Sequence, residues 1–172
     1  MQRQELINQL SENHQRFIHY IQSLTDDEFT FSNNGKWTAG QQLEHIILAV
    51  KPLAQGLQLP PFLIKLFFGK ANRASKTYDE LIAKYLEKLK NGGKASGRFI
   101  PKEITIEKKE KLIRSLKSNV NKLNKQLEKF SEYELDTLIL PHPLLGKLTV
   151  REMMYFTIYH VVHHQEILIS RS

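Results

Sequence analysis

Hydrophobic positions along the chain recur at three- and four-residue spacing, the period of an amphipathic helix. Leu6, Ile7, Leu10, Phe17, Ile18 and Ile21 predict a first helix over about Gln4 to Ser23. Thr25-Asp-Asp-Glu28 has the form of a capping box and opens a short turn, and Phe31-Ser-Asn-Asn-Gly35 is a turn cluster. Thr38-Ala-Gly-Gln41 is a second capping box, and it starts a helix of about Thr38 to Gln55. Pro60-Pro61 breaks that pattern, and the apolar run Phe62 to Phe68 reads as a buried turn or short helix. Thr77-Tyr-Asp-Glu80 caps a helix of about Tyr78 to Leu89, closed by Asn91-Gly-Gly93. Lys94 to Glu103 reads as loop. A long helix of about Ile106 to Phe130 follows, with Leu112, Leu116, Val120, Leu123 and Leu127 as its core stripe. Pro141-His142-Pro143 and Gly146 make another loop, and Thr149-Val-Arg-Glu152 caps a last helix of about Val150 to Ser170. There is no repeat, no low-complexity tract and no strand run beyond a few residues. An all-α fold follows: an antiparallel four-helix bundle with an elaborated connection between its second and third long helices. It forms a single domain over residues 1–172.

The last helix carries the candidate chemistry. His160 and His164 are four residues apart, so they leave one face one turn apart. On a helical wheel Met153, Phe156 and Ile167 fall within about 40° of His160, which puts the pair in an apolar stripe. A buried imidazole without a partner costs about 1–3 kcal/mol. Either protein hydrogen-bond partners or a metal ion must therefore satisfy the pair. His45 lies in a second apolar stripe, Gln41-Gln-Leu-Glu-His45-Ile-Ile-Leu, from which it can complete a three-histidine site. Gln41 and Gln42 sit one turn before it and are within reach of the site. His163 stands at the margin of the same face, as a support for the ligands or an exposed residue. Glu44 and Glu166 point about 100° away from their neighbouring histidines and are poor general bases. Trp37, just before a cap, reads as a hydrophobic anchor, and His142 as a loop-stiffening residue.

The back of the last helix is also apolar, through Tyr155, Ile158, Val162 and Ile169. A helix apolar all round is either central or covered by a partner. The expectation here is a homodimer using that stripe.

Composition narrows the chemistry. The chain has 172 residues and no cysteine, which excludes disulfides, thiolate ligands and a thiol nucleophile. A metal site must use histidine and carboxylate, which suits Ni, Zn, Fe or Mn. The net charge is +7, concentrated between Lys84 and Lys129. There lysines alternate with Glu, Leu, Val and Ile at helical spacing, which a solvated helix face explains. No glycine-rich phosphate loop and no basic stretch interleaved with aromatics is present, which argues against a nucleic-acid partner. No apolar run reaches the ~18 residues of a membrane span, and there is no apolar signal region. The expectation is a cytoplasmic protein with no membrane partner.

Three segments together resemble the DinB-like (DinB/YfiT-like) metalloprotein superfamily of four-helix bundles. They are Lys36-Trp37-Thr38 leading to His45, the loop His142-Pro143-Leu-Leu-Gly146, and the pair His160-x-x-x-His164. The resemblance covers nearly the whole chain. It implies an up-down-down-up bundle, a dimer, and a divalent ion, Ni or Zn above others, held by His45, His160 and His164. Some relatives are transferases using low-molecular-weight thiols such as bacillithiol or mycothiol. The resemblance therefore implies a small-molecule substrate and a metal-dependent transferase, or hydrolase-like enzyme, that activates a thiol or water. The alternative is a non-catalytic dimeric metal-binding or stress-response module. The long insert Pro60 to Pro101 carries Asn72-Arg73 and several lysines, placed by this reading over the site mouth, where they suit an anionic substrate.

Overall fold

Five of the helices among the described residues begin at a Thr or Ser capping box. In the computed structural model, which describes residues 1–33 and 35–170, α1 spans Arg3–Ser23 and α2 Asp26–Thr30. α3 spans Ala39–Gly56, α4 Pro61–Phe68 and α5 Tyr78–Lys90. α6 spans Lys109–Leu127, α7 Glu132–Thr137 and α8 Val150–Ile169. The capping boxes at Thr25, Thr38, Thr77 and Thr149 form with both reciprocal hydrogen bonds. A further box, Ser131 with Glu134, opens α7, a helix the periodicity did not reveal. Asn34, in the predicted turn cluster, lies outside the described residues, as do residues 171 and 172 of the predicted domain.

Hydrogen bonds between helices set their directions. The Arg3 guanidinium donates to the Phe130 carbonyl, Asn124 to Ser11, and Lys109 to the Leu24 carbonyl, so α1 and α6 are antiparallel. Arg151 donates to the Met1 carbonyl and Asn13 to the Ile158 carbonyl, so α1 and α8 run the same way. His45 meets His160 while Gln42 meets His164, so α3 and α8 are antiparallel. The bundle is up-down-down-up, with α1, α3, α6 and α8 as its long helices. Phe17, Phe130, Leu6, Leu10, Leu43 and Leu116 are among the fully buried side chains between them.

Two expectations need correction. The apolar segment after Pro61 is a short helix but not a buried one: Ile64 is enclosed, while Phe62, Leu66 and Phe67 are 68%, 73% and 64% exposed. The loop around His142 is a β-hairpin, with β1 Ile139–His142 paired to β2 Gly146–Thr149. Of the stripe on the back of α8, Tyr155 and Ile158 are buried within this chain, where the Ile158 carbonyl receives Asn13 of α1, while Val162 is half-buried and Ile169 is exposed. α8 is the central helix of the bundle. Among the described residues no single helix is long and apolar enough to cross a membrane; α3 and α4 are so only together, and they bend through 110°.

Candidate metal centre

α3 and α8 bring the three predicted histidines to one point. His45, His160 and His164 are each buried, and one nitrogen from each lies within 4.8 Å of the other two. His160 Nε2 is 3.2 Å from His45 Nε2 and 3.0 Å from His164 Nε2. Nitrogens bound about 2.0–2.1 Å from a tetrahedral ion stand about 3.3 Å apart. The spacing is close to that of a ligand set.

The outer nitrogens fix the tautomers. His45 Nδ1 lies 2.7 Å from the Phe99 carbonyl oxygen, which can only accept, so that nitrogen carries the proton. His164 Nδ1 meets the Gln42 side-chain oxygen in the same sense. Both rings therefore turn an Nε2 lone pair toward His160. A proton on His160 Nε2 could satisfy one of these lone pairs, never both. A cation at their meeting point satisfies all three nitrogens, which is the chemical reason this donor set suits a metal. Burial pushes the His160 imidazole well below its usual range, helped by His164 and His45 beside it. Burial also lowers His45, against the Phe99 hydrogen bond that raises it. Neutral rings are what a metal requires.

Aromatic rings wall the centre. Phe156 stacks on His160 at 4.7 Å between centroids, and Trp37 lies 5.0 Å from His45. Tyr85 of α5 packs edge-on against Phe156, and burial drives its hydroxyl upward from the usual value. The site opens into a cavity of about 790 Å³.

His163 lines that cavity beside Tyr159, outside the three-nitrogen cluster. His142 also lines it. Its Nδ1 accepts the amides of Leu144 and Leu145 across the hairpin turn, which leaves the proton on Nε2, and the ring is half-buried against Phe156 rather than on the surface. Glu44 is turned away and receives the Lys102 amide. Arg73 does not cover the site mouth. Its guanidinium is engaged by Glu152 of α8, a fully buried carboxylate that also accepts the amides of Lys76 and Thr149.

Sequence reasoning missed two participants. The Phe99 carbonyl sits at the end of a three-residue 3-10 turn, Gly97–Phe99, too short for a period to place it. His14 of α1 lines the cavity, is 1% exposed, and has no partner for Nε2. Its Nδ1 donates to the Leu10 carbonyl, and burial lowers its pKa to about 4. Its place between Leu10 and Phe17, four and three residues away on the core stripe, was the signal for it.

The sequence model of the DinB superfamily matches residues 9–168. The chain belongs to the DinB superfamily. No curated protein matches this DinB-superfamily chain at a significant level. A solved structure titled "Crystal structure of TT2238, a four-helix bundle protein" is similar over 98% of this chain and 98% of that one, with TM-score 0.61 and 15% identity. At that identity the likeness shows the fold alone: a four-helix bundle, as the DinB assignment and the three-histidine cluster on its facing helices both fit.

Proposed function

We propose that this DinB-superfamily protein binds one divalent transition ion, Ni or Zn, through His45, His160 and His164. The observation that carries the reading is the pair of fixed tautomers that aim the lone pairs of His45 and His164 at His160 Nε2. Three histidine ligands leave a coordination position free, and the cavity adjoins it. We extend the reading to a metal-dependent transferase that activates a low-molecular-weight thiol or water. A bound ion would supply Lewis acidity, lowering the pKa of such a group. The chain's part is to orient the rings, through Gln42 and Phe99, and to limit water with Trp37 and Phe156.

Elemental analysis of protein dialysed against metal-free buffer tests this. The expected result is about one ion per chain, lost in His45→Ala and in His164→Ala with helicity kept. A protein without metal that gains no thermal stability from Ni, Zn or Mn refutes it. The thiol extension predicts that a thiol raises the melting temperature only of the metal-loaded form.

The exposed Phe62, Leu66 and Phe67 favour a second reading, a dimeric metal-binding module without catalysis. α4, rather than the back of α8, would then supply the contact. Sedimentation should show a dimer at micromolar concentration that Leu66→Glu dissociates; a wild-type monomer removes this reading.

A further inference from the structure

The cavity beside the three histidines is far larger than an ion and its water require. Its volume is about 790 Å³, where one water occupies about 30 Å³. It follows α3 from Gln42 to Gly56, a length of about 21 Å at 1.5 Å per residue. Its character changes along that length. Around the histidine end stand Lys36, next to Trp37, and Arg98, next to the Phe99 whose carbonyl holds His45. Lys94 lines the same segment as Arg98. Toward the other end the walls are Leu53, Leu59, Phe68 and Leu140, and Lys147, which stands near Phe68 and Leu140, does not line the cavity. No aspartate or glutamate lines the cavity anywhere. None of the three cations is in an ion pair among the described residues.

A long apolar slot with exposed cations free of ion pairs at one end, Arg98 lying over the Phe99 ring, fits a ligand that is itself two-ended. We propose that the cavity binds a single-chain amphiphilic acid of the fatty-acid class. Its acidic head lies at the histidine end, within the field of Lys36, Lys94 and Arg98, and its hydrocarbon chain runs along α3 toward Phe68. The charge asymmetry sets the orientation, since the reverse would bury an acid among Leu53, Leu59 and Phe68 and expose the chain to three cations. The proposal deepens the metal reading, because an ion held by the three histidines adds to the positive charge facing the head. The slot and its cations are present without that ion, so the two readings can fail separately.

Calorimetric titration of the full chain, metal-loaded and metal-stripped, below the critical micelle concentration of each probe, tests it. The probes are dodecanoate, dodecyl phosphate, dodecanol and dodecyltrimethylammonium. One dodecanoate per chain is expected, bound at least about tenfold more tightly than dodecanol or the cationic probe. Dodecyl phosphate in place of dodecanoate as the tighter ligand would make the acid a phosphate monoester, within the same class of amphiphile. Ala49→Phe places a ring in the middle of the slot and should weaken dodecanoate at least about tenfold while leaving metal stoichiometry unchanged. Neutralising Lys36, Lys94 and Arg98 to glutamine should abolish the preference for the acid and spare dodecanol. Equal affinity for all four probes, or dodecanoate binding untouched by Ala49→Phe, overturns the proposal. Binding with the expected preferences in a protein that takes up no metal supports it and sinks the metal reading instead.

Discussion

At the scale of single residues, the centre depends on two acceptors that hold the histidines from behind. One is a backbone carbonyl, at Phe99, and substitution cannot remove it. The other is the Gln42 side chain on His164, and it can be removed. Gln42→Leu keeps the volume and takes away the oxygen, so His164 loses the bond that fixes its tautomer and ring angle. Metal affinity should fall about 10–100-fold, the usual effect of losing such a support, with little change in helicity. Competition with a chelating dye measures this, and an unchanged dissociation constant would show that His164 is positioned by packing alone. The clustering of His45, His160 and His164 was legible in the sequence because they fall on helical stripes, where spacing determines facing. Gln42 was within reach by the same rule. The Phe99 carbonyl was not, because a backbone group on a three-residue 3-10 turn leaves no trace in the residue pattern.

At the scale of elements, the capping boxes made the starts of α3, α5 and α8 legible. The local chemistry of Thr or Ser with Glu or Gln three residues on is sufficient to stop a helix from extending backward. The short elements were hidden for the opposite reason. α7 is six residues and each hairpin strand four, too few for a period to declare itself. Exposure of α4 was also invisible, since an apolar octapeptide reads as buried unless its neighbours are known. The start of α3 was capped as expected, but its close packing was not foreseen. Gly40 sits where a Cβ would stand 2.8 Å from Ile104 Cγ2 and 2.9 Å from the Phe29 ring. Phe29 is fully buried, so neither neighbour can easily yield. Gly40→Ala gains helix propensity of about 1 kcal/mol but overpacks by about 1–3 kcal/mol. The balance should be a net loss of stability, read as a lower urea midpoint with metal stoichiometry intact. A midpoint at or above wild type would mean that the segment around Ile104 moves aside freely.

At the scale of the whole molecule, α8 and the cavity leave several histidines neutral inside the bundle, and that couples folding to pH. Burial holds His14 to a pKa of about 4, and burial together with Lys84 holds His142 to about 4. Both ordinarily titrate at 6.5, and do so in the unfolded chain. Between those values the unfolded chain binds protons that the native one refuses. Stability is therefore full above about pH 6.5 and falls as the pH drops toward about 4. The carboxylates act in a lower window. The Glu152 carboxyl is pushed up by burial but pulled further down by Arg73 and the two amides, so its contribution is lost only as pH falls below the ordinary carboxylate range. The metal-free protein isolates the histidine effect, since an ion on His45, His160 and His164 would add its own proton linkage. His14→Phe fills the same place with a ring that cannot charge. The loss of unfolding free energy from about pH 7 to about pH 4.5 should then be smaller than in wild type by about 2 kcal/mol. Urea titrations of both proteins at the two pH values supply the comparison. Parallel losses would mean that His14 is protonated in the native bundle, with its Nε2 donating to a group in the cavity.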